Sequence, residues 1–213
     1  MRAIIIANGD LRDAEETRSL VRTGDLVIAA DGGGYHCRKL GITPDILIGD
    51  FDSIAPKELD AWAHQGVQII RHPARKNYTD LELALRHACD QGADEILVLA
   101  ALGLRWDHTL ANLLLPVSSE LQGCTITLLD GKQEIRLLKG GETLNVHGNP
   151  GDTLSLIPLN GDVQGVSTDK LEYPLKDETL HFGSTRGVSN VLLQNSATVT
   201  VEQGWLVCIL IHQ

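Results

Sequence analysis

The chain is short of positive charge. Its 213 residues carry 18 Lys and Arg against 28 Asp and Glu, a formal net charge of −10, and no basic cluster interrupts the acidic field. DNA or RNA would be repelled by that field, which argues against a nucleic-acid partner. A cationic or metal-bound partner suits it better. Long apolar runs are missing too. The longest, Ile96 to Leu104, falls well short of the roughly 20 residues that span a bilayer. The opening MRAIIIANGD meets Asn-Gly-Asp too soon for a signal peptide. Together these absences predict a soluble cytoplasmic protein without membrane contact.

The four cysteines, Cys37, Cys89, Cys124 and Cys208, form no CxxC pair. That spacing gives no zinc site and no compact disulfide framework, so reduced and mostly buried thiols are expected. Also absent are a GxxxxGK[ST] loop, a GxGxxG after the first strand, and the HRD and DFG motifs of protein kinases. Any bound nucleotide must be organised by other means.

What is present falls into two rhythms. From Met1 to about Leu129, short β-rich runs alternate with amphipathic helical stretches. Strands are predicted at Ala3–Ala7, Leu26–Ala30, Ile46–Ile48, Val67–Ile70, Ile96–Ala100 and Thr125–Leu129. Helices are predicted near Ala14–Val21, Tyr35–Leu40, Pro56–His64, Asp80–Cys89 and His108–Pro116. DLVIAAD and EILVLAAL are continuously apolar, as strands covered on both faces must be. The alternation predicts βαβ units and a mostly parallel, Rossmann-like α/β sheet. After Gly131 the helical pattern ends, and short alternating runs are punctuated by Gly, Asn, Asp and Pro. A small all-β sandwich or barrel is expected there, with domains at 1–130 and 131–213.

In an open α/β sheet, ligands sit beyond the carboxyl ends of the strands. Acids recur at those ends. Asp31-Gly32-Gly33-Gly34 follows Leu26–Ala30, where glycines would let backbone approach a phosphate, or where Asp31 simply caps a helix. Ile46–Ile48 runs into Gly49-Asp50-Phe51-Asp52-Ser53. If that segment stays extended, Asp50 and Asp52 point to one side, roughly 7 Å apart at Cα, toward one hard cation such as Mg²⁺. The alternative is a turn in which Asp52 or Ser53 caps the helix opened by Pro56. Thr79 and Glu82 form a capping box, placing Asp80 in a first helical turn. Arg75 and Lys76, just upstream, can meet phosphate oxygens or stay solvated. After Ile96–Ala100 come Arg105, a planar fork for phosphate, and Asp107, a fourth acid. His108 reads more readily as a capping or packing histidine than as a catalyst.

In order, ADGG at Ala30–Gly33, P-D-x-x-I-G-D-F-D-S at Pro44–Ser53, T-D-L-E-L-A-L at Thr79–Leu85, G-x-R-x-D-H-x-L-A-N at Gly103–Asn112 and G-V-S-N at Gly187–Asn190 resemble the thiamine pyrophosphokinase family. The resemblance implies an α/β catalytic domain that binds ATP and Mg²⁺, and a C-terminal β-sandwich for thiamine binding and dimerisation. It implies a homodimer with active sites at the subunit interface. Asp50, Asp52 and Asp80 would hold the metal. Asp107 would join them or orient the thiamine hydroxyl, and Arg105 would meet phosphate. Asp31, Gly32, Gly33, Lys76, Asn77, Thr79 and His108 would line the nucleotide side, with Ser189 and Asn190 on the aminopyrimidine. The chain departs from the family's K-D-x-T-D at Asn77, which puts a metal role for that residue in doubt. With aromatics at 4 %, few rings can stack on the ligand; Tyr173 and Trp205 are candidates, with core packing the safer reading.

The expected reaction is attack of the thiamine hydroxyl on the β-phosphorus of ATP, releasing AMP. The proton acceptor is left open between Asp80 and Asp107. The rival readings are a pyrophosphokinase for a hydroxymethylpterin, a metal-dependent phosphoester hydrolase, and a ligand sensor without chemistry.

Overall fold

The computed structural model describes every residue of 1–213 except Ser53, Leu104 and Gln122. A capping role for Ser53 and the Leu104 end of the apolar run therefore lie outside the described residues. Two compact units result, Met1–Gly131 and Lys132–Gln213.

In the first unit, strands β1 (Arg2–Ile6), β2 (Leu26–Ala30), β3 (Ile46–Gly49), β4 (Gln68–Arg71), β5 (Glu95–Leu99) and β6 (Thr125–Asp130) alternate with five helices. The helices are α1 (Ala14–Ser19), α2 (Gly33–Leu40), α3 (Pro56–His64), α4 (Asp80–Asp90) and α5 (Trp106–Leu114). The strands line up as β6-β5-β1-β2-β3-β4, every neighbour pair parallel. This is the expected architecture, and its cause is visible in the burial. Ile4, Ile5, Ile6, Ile28 and Leu47 are each fully buried, so both faces of the central strands are covered by helices. Strand order runs outward from β1 to β4 and then returns to β5 on the other side of β1. The connections leaving β1 and β5 thus diverge, which opens a crevice at their carboxyl ends.

The helix starts follow their local chemistry. Thr79 caps α4, its hydroxyl oxygen accepting from the Glu82 N–H at 3.2 Å. For α3 the N-cap is Ala55, with Pro56 following, so Asp52 does not cap that helix. One expectation fails here. Cys89, near the end of α4, and Cys124, ahead of β6, are joined in a disulfide. The end of α4 and the start of β6 bring together sulfurs that lie 35 residues apart in the chain. Cys37 and Cys208 are free and buried, as expected of packing thiols.

The second unit contains strands β7 (Gln133–Lys139), β8 (Thr143–His147), β9 (Thr153–Pro158), β10 (Val163–Asp169), β11 (Glu178–Leu180), β12 (Asn190–Val191), β13 (Ser196–Thr200) and β14 (Trp205–Ile211). They form two antiparallel layers, β12-β9-β14-β7 and β11-β10-β13-β8. Leu154, Leu206 and Leu210 from the first layer meet Val166, Ala197 and Val199 from the second in one buried core. A β-sandwich is the result.

Candidate active site

A cavity of about 440 Å³ opens at the carboxyl ends of the first unit's strands. Its wall includes Asn8 and Gly9 after β1, Asp31 after β2, Lys76, Thr79 and Asp80 at the start of α4, and Ala101, Gly103, Arg105 and His108 after β5. The crevice that the strand order requires is therefore the cavity observed.

Asp50 leaves the end of β3 beside this cavity. The next residue turns the chain: Phe51 has φ 59°, a left-handed backbone that bulky residues rarely adopt. The segment turns instead of staying extended, and the turn still leaves the Asp52 side chain within hydrogen-bonding reach of the Asp50 carboxyl. Phe51 is buried in the core with Arg71 over its ring at 5.2 Å. Asp52 is exposed, and its backbone N–H donates to Asp50 Oδ1 at 3.2 Å. That bond, then the charge of Lys76, holds the Asp50 carboxyl below its usual range.

The acid brought together with Asp50 is Asp80. Lys76 Nζ lies 2.5 Å from Asp80 Oδ1 and 3.5 Å from Asp50 Oδ2. Burial by itself would lower the Lys76 pKa, but its bonds to Asp80 and Asp50 outweigh burial and raise it. Asp31 also has a left-handed backbone, φ 45°, and its N–H donates to the Ile48 carbonyl at 2.7 Å. Its carboxyl is pushed up, mainly by burial, with a hydrogen bond from Gly32 opposing and the charges of Asp80, Asp50 and Asp52 adding.

Gly32 and Gly33 serve packing. A Cβ on Gly33 would lie 1.9 Å from the Ile6 carbonyl oxygen, and one on Gly32 would lie 2.3 Å from the Asn8 side chain. Neither glycine lines the cavity, and the exposed Asn77 does not either. Arg105 and Asp107 are both exposed and pair two-pronged, Nε to Oδ1 at 3.1 Å and Nη2 to Oδ2 at 2.5 Å. The guanidinium pulls the Asp107 carboxyl down to about 2.

Ser189 and Asn190 lie in the second unit. Ser189 has φ 62°, and its N–H donates to Ser155 Oγ at 3.1 Å. Asn190 is buried, and its side chain is engaged by backbone groups of Tyr173 and Val191. Tyr173 is 58 % exposed, so core packing is not its role. Trp205 is partly buried, with Lys139 Nζ 5.8 Å from its ring.

Sequence reading gave no role to Asn8 and Gly9, and quoted Asn112 only as the end of a motif. The Asn112 side chain is buried and donates to the Ala101 carbonyl at 2.6 Å, pinning the β5–α5 loop. Gly9 lies so close to that loop that a Cβ would sit 2.4 Å from the Leu102 oxygen. The signal for Asn8-Gly9 was its position after β1, at a carboxyl strand end.

Mg²⁺ accepts one or two carboxylates, its remaining ligands being water and phosphate oxygens. Asp50 and Asp80 converge on one cationic group, the Lys76 ammonium, and so fit that requirement. Among the described residues no group of three or more His, Cys, Asp or Glu is already arranged to hold a metal.

A family model described as thiamin pyrophosphokinase, catalytic domain, matches residues 17–128, more than half of the chain. A second, thiamin pyrophosphokinase, vitamin B1 binding domain, matches residues 142–206. The chain is 28 % identical over 205 residues to the thiamine pyrophosphokinase of Bacillus subtilis (strain 168), covering 96 % of each. It is 29 % identical to thiamine pyrophosphokinase 1 of Arabidopsis thaliana, over 76 % of this chain and 64 % of that protein. The crystal structure of the Bacillus subtilis thiamine pyrophosphokinase matches the fold with a TM-score of 0.87 at 27 % identity, covering 100 % of both chains. That of the thiamin pyrophosphokinase from Geobacillus thermodenitrificans gives 0.86 at 26 % identity, covering 100 % of this chain and 98 % of that one.

Proposed function

Since the chain belongs to the thiamin pyrophosphokinase family, it is a diphosphotransferase forming thiamine diphosphate with ATP as co-substrate, and we propose that transfer occurs at the cavity between the β1 and β5 loops. The observation that carries this placement is the convergence of Asp50 and Asp80 on one cationic group at the cavity's edge. The thiamine hydroxyl oxygen bonds to the β-phosphorus while the bond from that phosphorus to the α–β bridging oxygen breaks, and AMP leaves. Such a transfer asks for positioning and charge neutralisation more than for a covalent nucleophile. Asp50 and Asp80 would hold Mg²⁺, which spreads the charge of the phosphates when bound. Asp52 adds its charge to the field felt at Asp31.

Arg105 is aimed by Asp107, and its remaining side-chain N–H groups, without a partner among the described residues, can meet phosphate oxygens. While Arg105 holds it, Asp107, with its pKa near 2, is a poor proton acceptor. That weighs against Asp107 as the acceptor of the hydroxyl proton. In the second unit the exposed ring of Tyr173 and the hydroxyl of Ser189 are our candidates for thiamine contacts.

A homodimer is part of the reading. Trp106, Leu110 and Leu114 recur every fourth residue on α5 and are 81 %, 57 % and 48 % exposed, an apolar stripe that a second copy would cover. Cytoplasmic residence, where ATP is made available, belongs to the same reading; none of the described helices is long and apolar enough to cross a membrane.

The test is D50A and D80A, each assayed for AMP formation with ATP, thiamine and Mg²⁺. Both should lose about 10²-fold or more in turnover while keeping the wild-type circular dichroism. Wild-type turnover in both would remove the site from the cavity.

A further inference from the structure

Lys76 is an unusual neighbour for a pair of metal ligands. Its side chain is only 12 % exposed, and its ammonium touches both Asp80, at 2.5 Å, and Asp50, at 3.5 Å. These are the two carboxylates that the proposed metal site would use. A divalent cation and the ammonium cannot share them without strong repulsion at such short range. We propose that Lys76 is a built-in counter-cation, competing with the divalent metal for Asp50 and Asp80 until nucleotide phosphate takes up the ammonium. The inference rests on reading Asp50 and Asp80 as the metal ligands.

Three features of the site carry it. First, the surroundings are acidic: Asp31 feels the charges of Asp80, Asp50 and Asp52, and a cation is needed among them. Second, lysine is a compact charge on a flexible four-carbon stem, able to swing from carboxylate to phosphate, whereas an arginine fork would stay locked. Third, Lys76 is itself part of the cavity wall, so phosphates entering the cavity come within its reach. The consequence is linkage. Phosphate and metal each remove an obstacle to the other, so the protein takes them as a unit and holds free metal weakly.

Mn²⁺ is the probe, its unbound fraction followed by electron paramagnetic resonance with nucleotide-free protein. K76Q and K76A should each bind Mn²⁺ about tenfold or more tightly than the wild type. Ethylammonium added to K76A should refill the vacated position and return its affinity toward the wild-type value, and it keeps the test usable if K76Q folds poorly. Equal Mn²⁺ affinity in wild type and both variants would overturn the proposal. The double variant K76Q/D80N separates this from the underlying reading. If it keeps the tight binding of K76Q, the metal is not held by Asp80 and the site reading fails. If the wild type already binds as tightly as K76Q and D80N abolishes that binding, the site stands and the role of Lys76 falls.

Discussion

Asn190 grips the backbone of Tyr173 at both of its polar groups: Nδ2 donates to the Tyr173 carbonyl at 2.7 Å, and Oδ1 accepts from the Tyr173 N–H at 3.0 Å. Oδ1 also accepts from the Val191 N–H at 2.9 Å. The amide that the motif offers as a ligand contact is thus largely spent on holding the loop that presents the Tyr173 ring. N190A should lower the unfolding free energy by about 2 kcal/mol, since buried backbone groups lose their partners. Among the described residues Ser189 is engaged only through its backbone N–H, so S189A should leave stability unchanged. Urea unfolding of both variants checks the contrast, and equal stabilities would contradict it.

Burial and neighbouring acids raise the Asp31 carboxyl above its ordinary value of 3.8. A raised carboxyl contributes stability in full below the unfolded value, and that contribution is lost as pH rises through the folded one. At neutral pH the ionised group therefore works against the fold. D31N, which cannot ionise and whose new residue tolerates the left-handed backbone, should melt higher than the wild type at pH 7. The difference should close below pH 3.8. Turnover should fall about tenfold or more if that charge serves the site. Thermal melts across pH test the first part, and a D31N that melts lower at pH 7 would contradict it.

The Arg105–Asp107 pair predicts a titration. Asp107 should ionise near pH 2 in the wild type and move back toward 3.8 in R105Q. The lowered value means that the pair's small contribution is present above 3.8 and fades as pH falls toward 2. Both side chains are exposed, so solvent screens most of it. Carbon-detected NMR of the carboxyl follows the shift, and an unmoved Asp107 would contradict the pairing.

The α5 stripe predicts a change of assembly. W106E combined with L110E should convert a dimer into monomers with little loss of fold, because both side chains are exposed. Light scattering gives the mass directly. A dimer that survives both charges would place the interface elsewhere.

Much of this molecule is legible in its sequence. The continuous apolar strands and the capping box at Thr79 are local chemistry, and the structure follows them. The lesson of Phe51 is different. Alternation would bring Asp50 and Asp52 together along an extended backbone, whereas a left-handed residue between them does so through a turn, with no glycine at that position to announce it. Lys76 bridging two acids from separate elements is likewise set by the tertiary fold. Asn112 and Gly9 were hidden for a related reason. Their work is to hold one loop against another, and no spacing within a single segment reveals it.

The most direct measurement combines purified protein with ATP, Mg²⁺ and thiamine, and follows AMP and thiamine diphosphate by chromatography, alongside D80N. The account predicts both products in equal amounts from the wild type, neither without metal, and a loss of about 10²-fold in D80N. AMP appearing without thiamine diphosphate, or at the same rate in D80N, would contradict it.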